Sequence, residues 1–256
     1  MSKQIAIVTG AGGGFGAAIV KNLLEVGYHV VATDINQESL DKLSDNLNQH
    51  SMLSTHIMDV TDETSVLEVA NHIETNISEN ITVLINNAGV IGKGTCLSED
   101  YSKISKKIID INLTACFNCV SVFSKYMVKL NYGRIINIAS VAGIWGASRG
   151  ASYAASKAGL IKASESWARE LGPYNVCVTA IAPGICKTDM MEQMSEGEQR
   201  AGSSVEDRII KSIVPIGRWG TAEDIAEVVT FLSTCKTNYL NSTVIPIDGG
   251  MRVGSL

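Results

Sequence analysis

The stretch Ile5-Ala6-Ile7-Val8-Thr9-Gly10-Ala11-Gly12-Gly13-Gly14-Phe15-Gly16 decides the reading of the whole chain. A short apolar, β-branched run ends in glycines, and a helical period starts at once. The same order then recurs. Further apolar runs fall at His29–Thr33, Ser51–Met58, Ile81–Asn86, Arg134–Ala139, Val176–Ala182 and Thr243–Ile247. Helical patterns fill 16–27, 37–48, 62–78, 100–130, 152–171 and 222–234. Seven strands alternating with helices predict an α/β fold: a seven-stranded parallel sheet with helices on both faces. The runs lack strict alternation, as strands buried on both sides should. No Pro/Ser-rich linker divides the chain, so residues 1–256 read as one domain. The polar, methionine-bearing segment at about 187–211 breaks the regularity, and its place after a strand suggests a lid over a site.

Composition narrows the function classes. The chain has 256 residues, 45% hydrophobic and 18% charged, which is globular rather than disordered. A net charge of −5 gives no general attraction to nucleic acid or anionic lipid. No apolar run approaches a membrane span, and the N-terminus reads directly into a strand, so a cytoplasmic protein is expected. Of six cysteines, only Cys116 and Cys119 form a CxxC, inside a helical pattern that favours neither redox nor metal chemistry. The histidines share no ligand spacing, and no metal is expected.

Glycines between strand and helix let the backbone turn tightly and approach a pyrophosphate, while the helix N-terminus presents free N–H groups. Asp34 closes the second strand, where a carboxylate can accept both ribose hydroxyls of an adenosine and would repel a 2′-phosphate. No basic residue stands at Ala11, Gly13, Ile35 or Asn36, so NAD is expected over NADP. Asp34 can alternatively cap the next helix. Asp59-Val60 and Asn86-Asn87-Ala88-Gly89 end the third and fourth strands, where open sheets bind ligands, although Asn, Asp and Gly also simply favour turns.

Tyr153-Ala154-Ala155-Ser156-Lys157 places a phenol and an ammonium on one helical face. A neighbouring cation favours a phenolate, so the pair can exchange a proton with an alcohol oxygen. Ser140, at the end of the preceding strand, can hydrogen-bond the same oxygen. Such a Tyr–Lys spacing also arises by chance; its company of glycine loop, Asp34 and Asn86–Gly89 gives it weight.

With these motifs, and with Asn112, Pro183-Gly184 and Thr188, the chain resembles the short-chain dehydrogenase/reductase family over essentially its whole length. The resemblance implies a single-domain Rossmann fold and hydride transfer between a nicotinamide and a secondary alcohol or ketone. It implies Tyr153 as acid/base, Lys157 as a holder of the nicotinamide ribose that lowers the Tyr153 pKa, and Ser140 as the group that positions the substrate oxygen. Asn112 would hold a water that links Lys157 to solvent. Gly10, Gly12, Gly14, Phe15 and Gly16 would cradle the cofactor's phosphates, and Asp34 and Ile35 its adenosine. Asp59 and Val60 would meet the adenine, and Asn87, Ala88 and Gly89 would line the cofactor. Pro183, Gly184, Ile185 and Thr188 would embrace the nicotinamide. A homotetramer is implied as well.

The substrate would lie between Ser140, Tyr153, the Val90–Leu97 loop, the Val141–Ser152 segment and the lid. Ile144 and Trp145 are either an apolar wall or ordinary core. Within the family the chain is similar to small secondary-alcohol dehydrogenases and to bacterial 3-oxoacyl-thioester reductases, which act on acyl-carrier-protein or CoA esters. The latter typically use NADP and carry carrier-docking arginines, where this chain has Asn131 and Tyr174. A small-molecule substrate and an acyl thioester are thus both in view. A non-catalytic NAD-binding regulator is a third reading, against which Ser140, Tyr153, Lys157 and Asn112 speak.

Overall fold

A computed structural model describes residues 4–77, 80–92, 95–187 and 210–251. Thr188, Met190, Met191, Met194 and nearly all of the expected lid lie outside them. Seven strands form one parallel sheet: β1 Gln4–Thr9, β2 His29–Asp34, β3 Leu53–Ile57, β4 Asn80–Asn86, β5 Gly133–Ile138, β6 Val176–Pro183 and β7 Val244–Ile247. The order is β3-β2-β1-β4-β5-β6-β7, every pair parallel. The chain winds outward from β1 in one direction and from β4 in the other. The crevice beyond the carboxyl ends of β1 and β4 is therefore the topological switch point.

The pleat sends alternate residues to opposite faces, and both faces are covered. Ile5, Ile7 and Leu84 pack with α3 (Glu63–Asn76), α5 (Ala115–Leu130) and α7 (Ala151–Leu171). Ala6, Val8, Val83 and Ile85 pack with α1 (Gly14–Glu25), α2 (Gln37–Asn46) and α8 (Ala222–Thr234). Two-sided burial is why these runs are apolar throughout. Helix starts follow local chemistry: Asn36 caps α2, Asp62 caps α3, and Thr221 with Asp224 forms a capping box on α8.

Two expectations are corrected and one element is added. The third strand is shorter than 51–58, because Ser51 and Met52 belong to the turn into it. The helix expected over 100–130 is two helices, α4 (Tyr101–Ile109) and α5, joined by a wider π-helical turn at Asp110–Thr114. A short helix, α6 (Ala142–Trp145), precedes α7 and has too few residues for a readable period.

Candidate active site

The glycine turn after β1 is built for close backbone approach. Gly10 has φ +62, and a Cβ there would lie 2.7 Å from Ala88 Cα. A Cβ at Gly16 would collide with the Gly10 carbonyl. Thr9 and Asn87 lock this turn to the end of β4. Thr9 Oγ1 accepts from the N–H groups of Asn87 and Ala88, each at 3.0 Å. Asn87 Nδ2 donates to the carbonyls of Thr9 and Gly10 at 2.9 and 2.8 Å. Gly13 precedes α1 and gives it no side-chain cap, so no side chain covers the amides of its first turn, although Gly16 N–H donates to the Gly13 carbonyl at 3.1 Å.

Asp34 stands at the end of β2. Its Oδ2 accepts from Gly12 N–H and its Oδ1 from Asn36 N–H, both at 3.0 Å. The capping alternative falls away, because Asn36 caps α2 with its own side chain. Each Asp34 oxygen keeps a second lone pair for a hydroxyl donor. Ile35 beside it is exposed. Asp59 Oδ1 accepts from both the N–H and the hydroxyl of Thr61, and the Val60 carbonyl accepts from Asn118 Nδ2. On the other side of the crevice, Gly184 N–H donates to Ile247 O, Pro183 O accepts from Val141 N–H, and Ile185 O accepts from Gly220 N–H. Gly89 abuts Lys157, whose Nζ would lie 3.5 Å from a Cβ at that position.

Ser140, two residues past β5, is buried, and its Oγ accepts from Ala142 N–H at 3.1 Å. Tyr153 lies in the first turn of α7. Burial pushes its phenol above the ordinary pKa; the Ser140 hydroxyl pulls the other way, and the nearby Cys186 thiol adds to the rise. Lys157 is 5% exposed, and its Nζ donates to Ile138 O at 2.7 Å. Burial lowers the ammonium from 10.5 to about 8. The expected lowering of Tyr153 by Lys157 is not what this geometry shows. Nζ reaches back to the strand carbonyl and sits 5.8 Å from the Tyr153 ring centre.

The π-helical turn carries Asn112 inward, where it is fully buried. Its side chain bridges Val90, accepting from the N–H at 2.8 Å and donating to the carbonyl at 2.9 Å, and donates to Ser156 Oγ at 3.2 Å. The side-chain amide expected to hold a water is thus engaged with the Val90 backbone and Ser156. Wide turns of this kind often mark functional positions.

Three site-shaping residues escaped the sequence reading: Asn137, Ser156 and Ser164, all buried. Asn137 had left a signal, a lone amide between Ile136 and Ile138; the serines left none. Ile144 and Trp145 are 44% and 43% exposed in α6, so they are not core. Arg149 is exposed with φ 58. Cys116 and Cys119 are buried; burial raises Cys116 to about 11 and Cys119 further, the opposite of a reactive thiolate. Among the described residues no helix is long and apolar enough to cross a membrane.

A dinucleotide fits this crevice on the structure's own terms: a glycine turn with no room for side chains, an open helix N-terminus and a carboxylate at the end of β2. The comparisons with known proteins agree. The short chain dehydrogenase family model matches residues 4–199. The 3-oxoacyl-(acyl-carrier-protein) reductase FabG of Thermotoga maritima is 34% identical over 254 residues, covering 98% of each chain. A 3alpha-hydroxysteroid dehydrogenase of Mediterraneibacter gnavus is 32% identical over 258 residues, again covering 98% of each. The crystal structure of a levodione reductase superposes with a TM-score of 0.89 at 31% identity, covering 99% of this chain and 98% of that one. The fold and site are those of an NAD(P)(H)-dependent oxidoreductase acting on CH–OH and C=O groups. The chain belongs to the short-chain dehydrogenase family.

Proposed function

We propose that the protein is an NAD(H)-dependent reductase of 3-oxoacyl thioesters. Full-length similarity to FabG reductases carries the substrate class, on a chain that keeps Ser140, Tyr153 and Lys157 around one point. Asp34 carries the choice of cofactor, since its carboxylate would repel a 2′-phosphate and no basic side chain replaces it.

The cofactor, when bound, supplies the hydride. This chain's residues do the rest. Gly10 through Gly16 hold the phosphates, with Gly12, Gly14 and Phe15 shaping the turn. Asp34 and Ile35 hold the adenosine, and Asp59 and Val60 meet the adenine. Asn87, Ala88 and Gly89 line one side, and Pro183, Gly184, Ile185 and Thr188 the nicotinamide end. Ser140 orients the substrate oxygen. Tyr153 donates its phenolic proton to that oxygen as it gains charge. A phenol whose pKa burial has raised remains protonated at neutral pH, ready for that direction. Lys157, on the same helical face, holds the ribose. No step needs a metal ion. Assembly as a homotetramer and a cytoplasmic location belong to the same proposal.

A second reading, reduction of cyclic or bulky ketones, draws on Asn131 and Tyr174, which stand where carrier-docking arginines are expected, and on the partly exposed Trp145 and Ile144. The test is NADH consumption with acetoacetyl-CoA beside a cyclic diketone and a 3-ketosteroid, with a parallel NADPH series. Faster turnover of the thioester with NADH is expected. Turnover of ring ketones alone moves the protein to the second reading, and preference for NADPH overturns the role given to Asp34.

A further inference from the structure

Two buried hydrogen-bond chains of the same design fasten α7. In the first, Asn112 Nδ2 donates to Ser156 Oγ at 3.2 Å, and Ser156 Oγ donates to the Tyr153 carbonyl at 2.7 Å. In the second, Asn86 Nδ2 donates to Asn137 Oδ1 at 2.8 Å, Asn137 Nδ2 donates to Ser164 Oγ at 2.8 Å, and Ser164 Oγ donates to the Leu160 carbonyl at 2.7 Å. Each chain runs from an asparagine amide to a serine hydroxyl and ends in the helix's own backbone. The second chain ties β4, β5 and α7 together.

Its position is what matters. Asn137 directly precedes Ile138, whose carbonyl receives Lys157 Nζ at 2.7 Å. Ser164 lies about two helical turns beyond Lys157 and so shares its face. Neither residue is there for local stability. A serine bonded back to its own helix is neutral to mildly unfavourable. An asparagine inside a doubly buried strand is costly unless its bonds are made. Both are buried, at 0% and 2% exposure, and together they complete a set of directional bonds. Apolar packing tolerates small slides of a helix on a sheet, whereas a satisfied polar chain does not.

We propose that Asn137 and Ser164 are positioning residues, which fix the seat of α7 on β5 and thereby the places of Lys157 and Tyr153. The proposal rests on the acid/base reading of that pair. Small displacements of reacting groups lower rates by up to about 100-fold. Ser164→Ala should therefore reduce kcat roughly 10- to 100-fold and weaken NADH binding, read by fluorescence, by a smaller factor, because the glycine turn and Asp34 sit on other elements while Lys157 rides on α7. Ser164→Thr, which keeps the hydroxyl, should recover most of the rate.

A second readout requires no turnover. The Lys157 side chain can be titrated by NMR with 13C-labelled lysine and assigned with Lys157→Met. Its midpoint should rise in Ser164→Ala, as a loosened α7 lets water reach the ammonium. An unchanged midpoint, or a kcat at the wild-type level, overturns the proposal whatever the melting temperature does. If Ser164→Ala does not fold, Ser164→Cys, close in volume and a weaker donor, is judged by the same two readouts. Absence of turnover in the wild type counts against the proposed function alone, since the lysine titration still decides this inference.

Discussion

A buried cation sits at each end of β5. Arg134 lies near its start, and Lys157 rests on the carbonyl of its last residue, Ile138. Both are almost fully buried, at 2% and 5% exposure, and among the described residues neither forms a salt bridge. Their surroundings differ. Arg134 donates to Gly133 O and Cys235 O and lies 4.9 Å over the Tyr132 ring, leaving only Nε unpartnered. Close by, Tyr28 donates to Ser233 O at 2.7 Å, so the last turn of α8 is closed by side chains of the sheet's lower edge. Lys157 has the Ile138 carbonyl and, near it, Tyr153. Arginine keeps its proton under all conditions, while a buried lysine titrates. At the amino end of the sheet Arg134 thus secures a helix, and at the carboxyl end burial leaves a charge that can be given up. This is the division expected of an open α/β sheet, with fastening at one edge and ligand chemistry at the other.

The comparison can be broken in several places. The largest effect is expected from Tyr153→Phe, which should lower kcat by about 1,000-fold or more and leave the melting temperature nearly unchanged. Arg134→Ala should do the reverse. It leaves a cavity and two carbonyls without donors, for a loss of roughly 2–4 kcal/mol in denaturant unfolding, with kcat per folded molecule retained. Lys157→Met should stabilise the fold near pH 7 by about 2 kcal/mol. Burial depresses Lys157 from 10.5 to about 8, so between those values the folded chain binds fewer protons than the unfolded one. Stability rises with pH across that window, and the cost of the buried charge is complete below it. The advantage of Lys157→Met should accordingly vanish by the upper end of the window in unfolding curves taken at several pH values.

The seven strands were legible because doubly buried runs are apolar without interruption, and the glycine turn, Asp34 and the Tyr153–Lys157 pair because their spacing is local. What escaped depended on distance or on backbone detail. Nothing in Ile109-Asp110-Ile111-Asn112-Leu113 distinguishes a wide turn from an ordinary helix, yet that turn sends Asn112 inward. The partner of Asn137 lies 27 residues away on α7. Helical spacing pairs Lys157 with Tyr153, but only the packing of α7 on β5 shows that Nζ reaches Ile138 O.

Two smaller effects sharpen the contrast between the ends of the sheet. Asp34→Ala should shift the ratio of NAD to NADP affinity by about tenfold, or 1.4 kcal/mol, measured by calorimetric titration; an unchanged ratio removes Asp34 from the account. Away from both ends, His56 packs against His72 with ring centres 4.6 Å apart, and burial with the His72 charge holds its pKa below 6.5. The folded chain resists taking up this proton, so stability should fall as pH drops through 6.5. His56→Gln should flatten that slope by well under about 1 kcal/mol without touching activity.

The central claim is that chemistry resides at the carboxyl end of β5 and fastening at its amino end. Its most direct test is NADH oxidation with acetoacetyl-CoA by the wild type, Tyr153→Phe and Arg134→Ala, each normalised to folded protein. Turnover lost in Tyr153→Phe and kept in Arg134→Ala is the predicted result. Turnover surviving in Tyr153→Phe would contradict it.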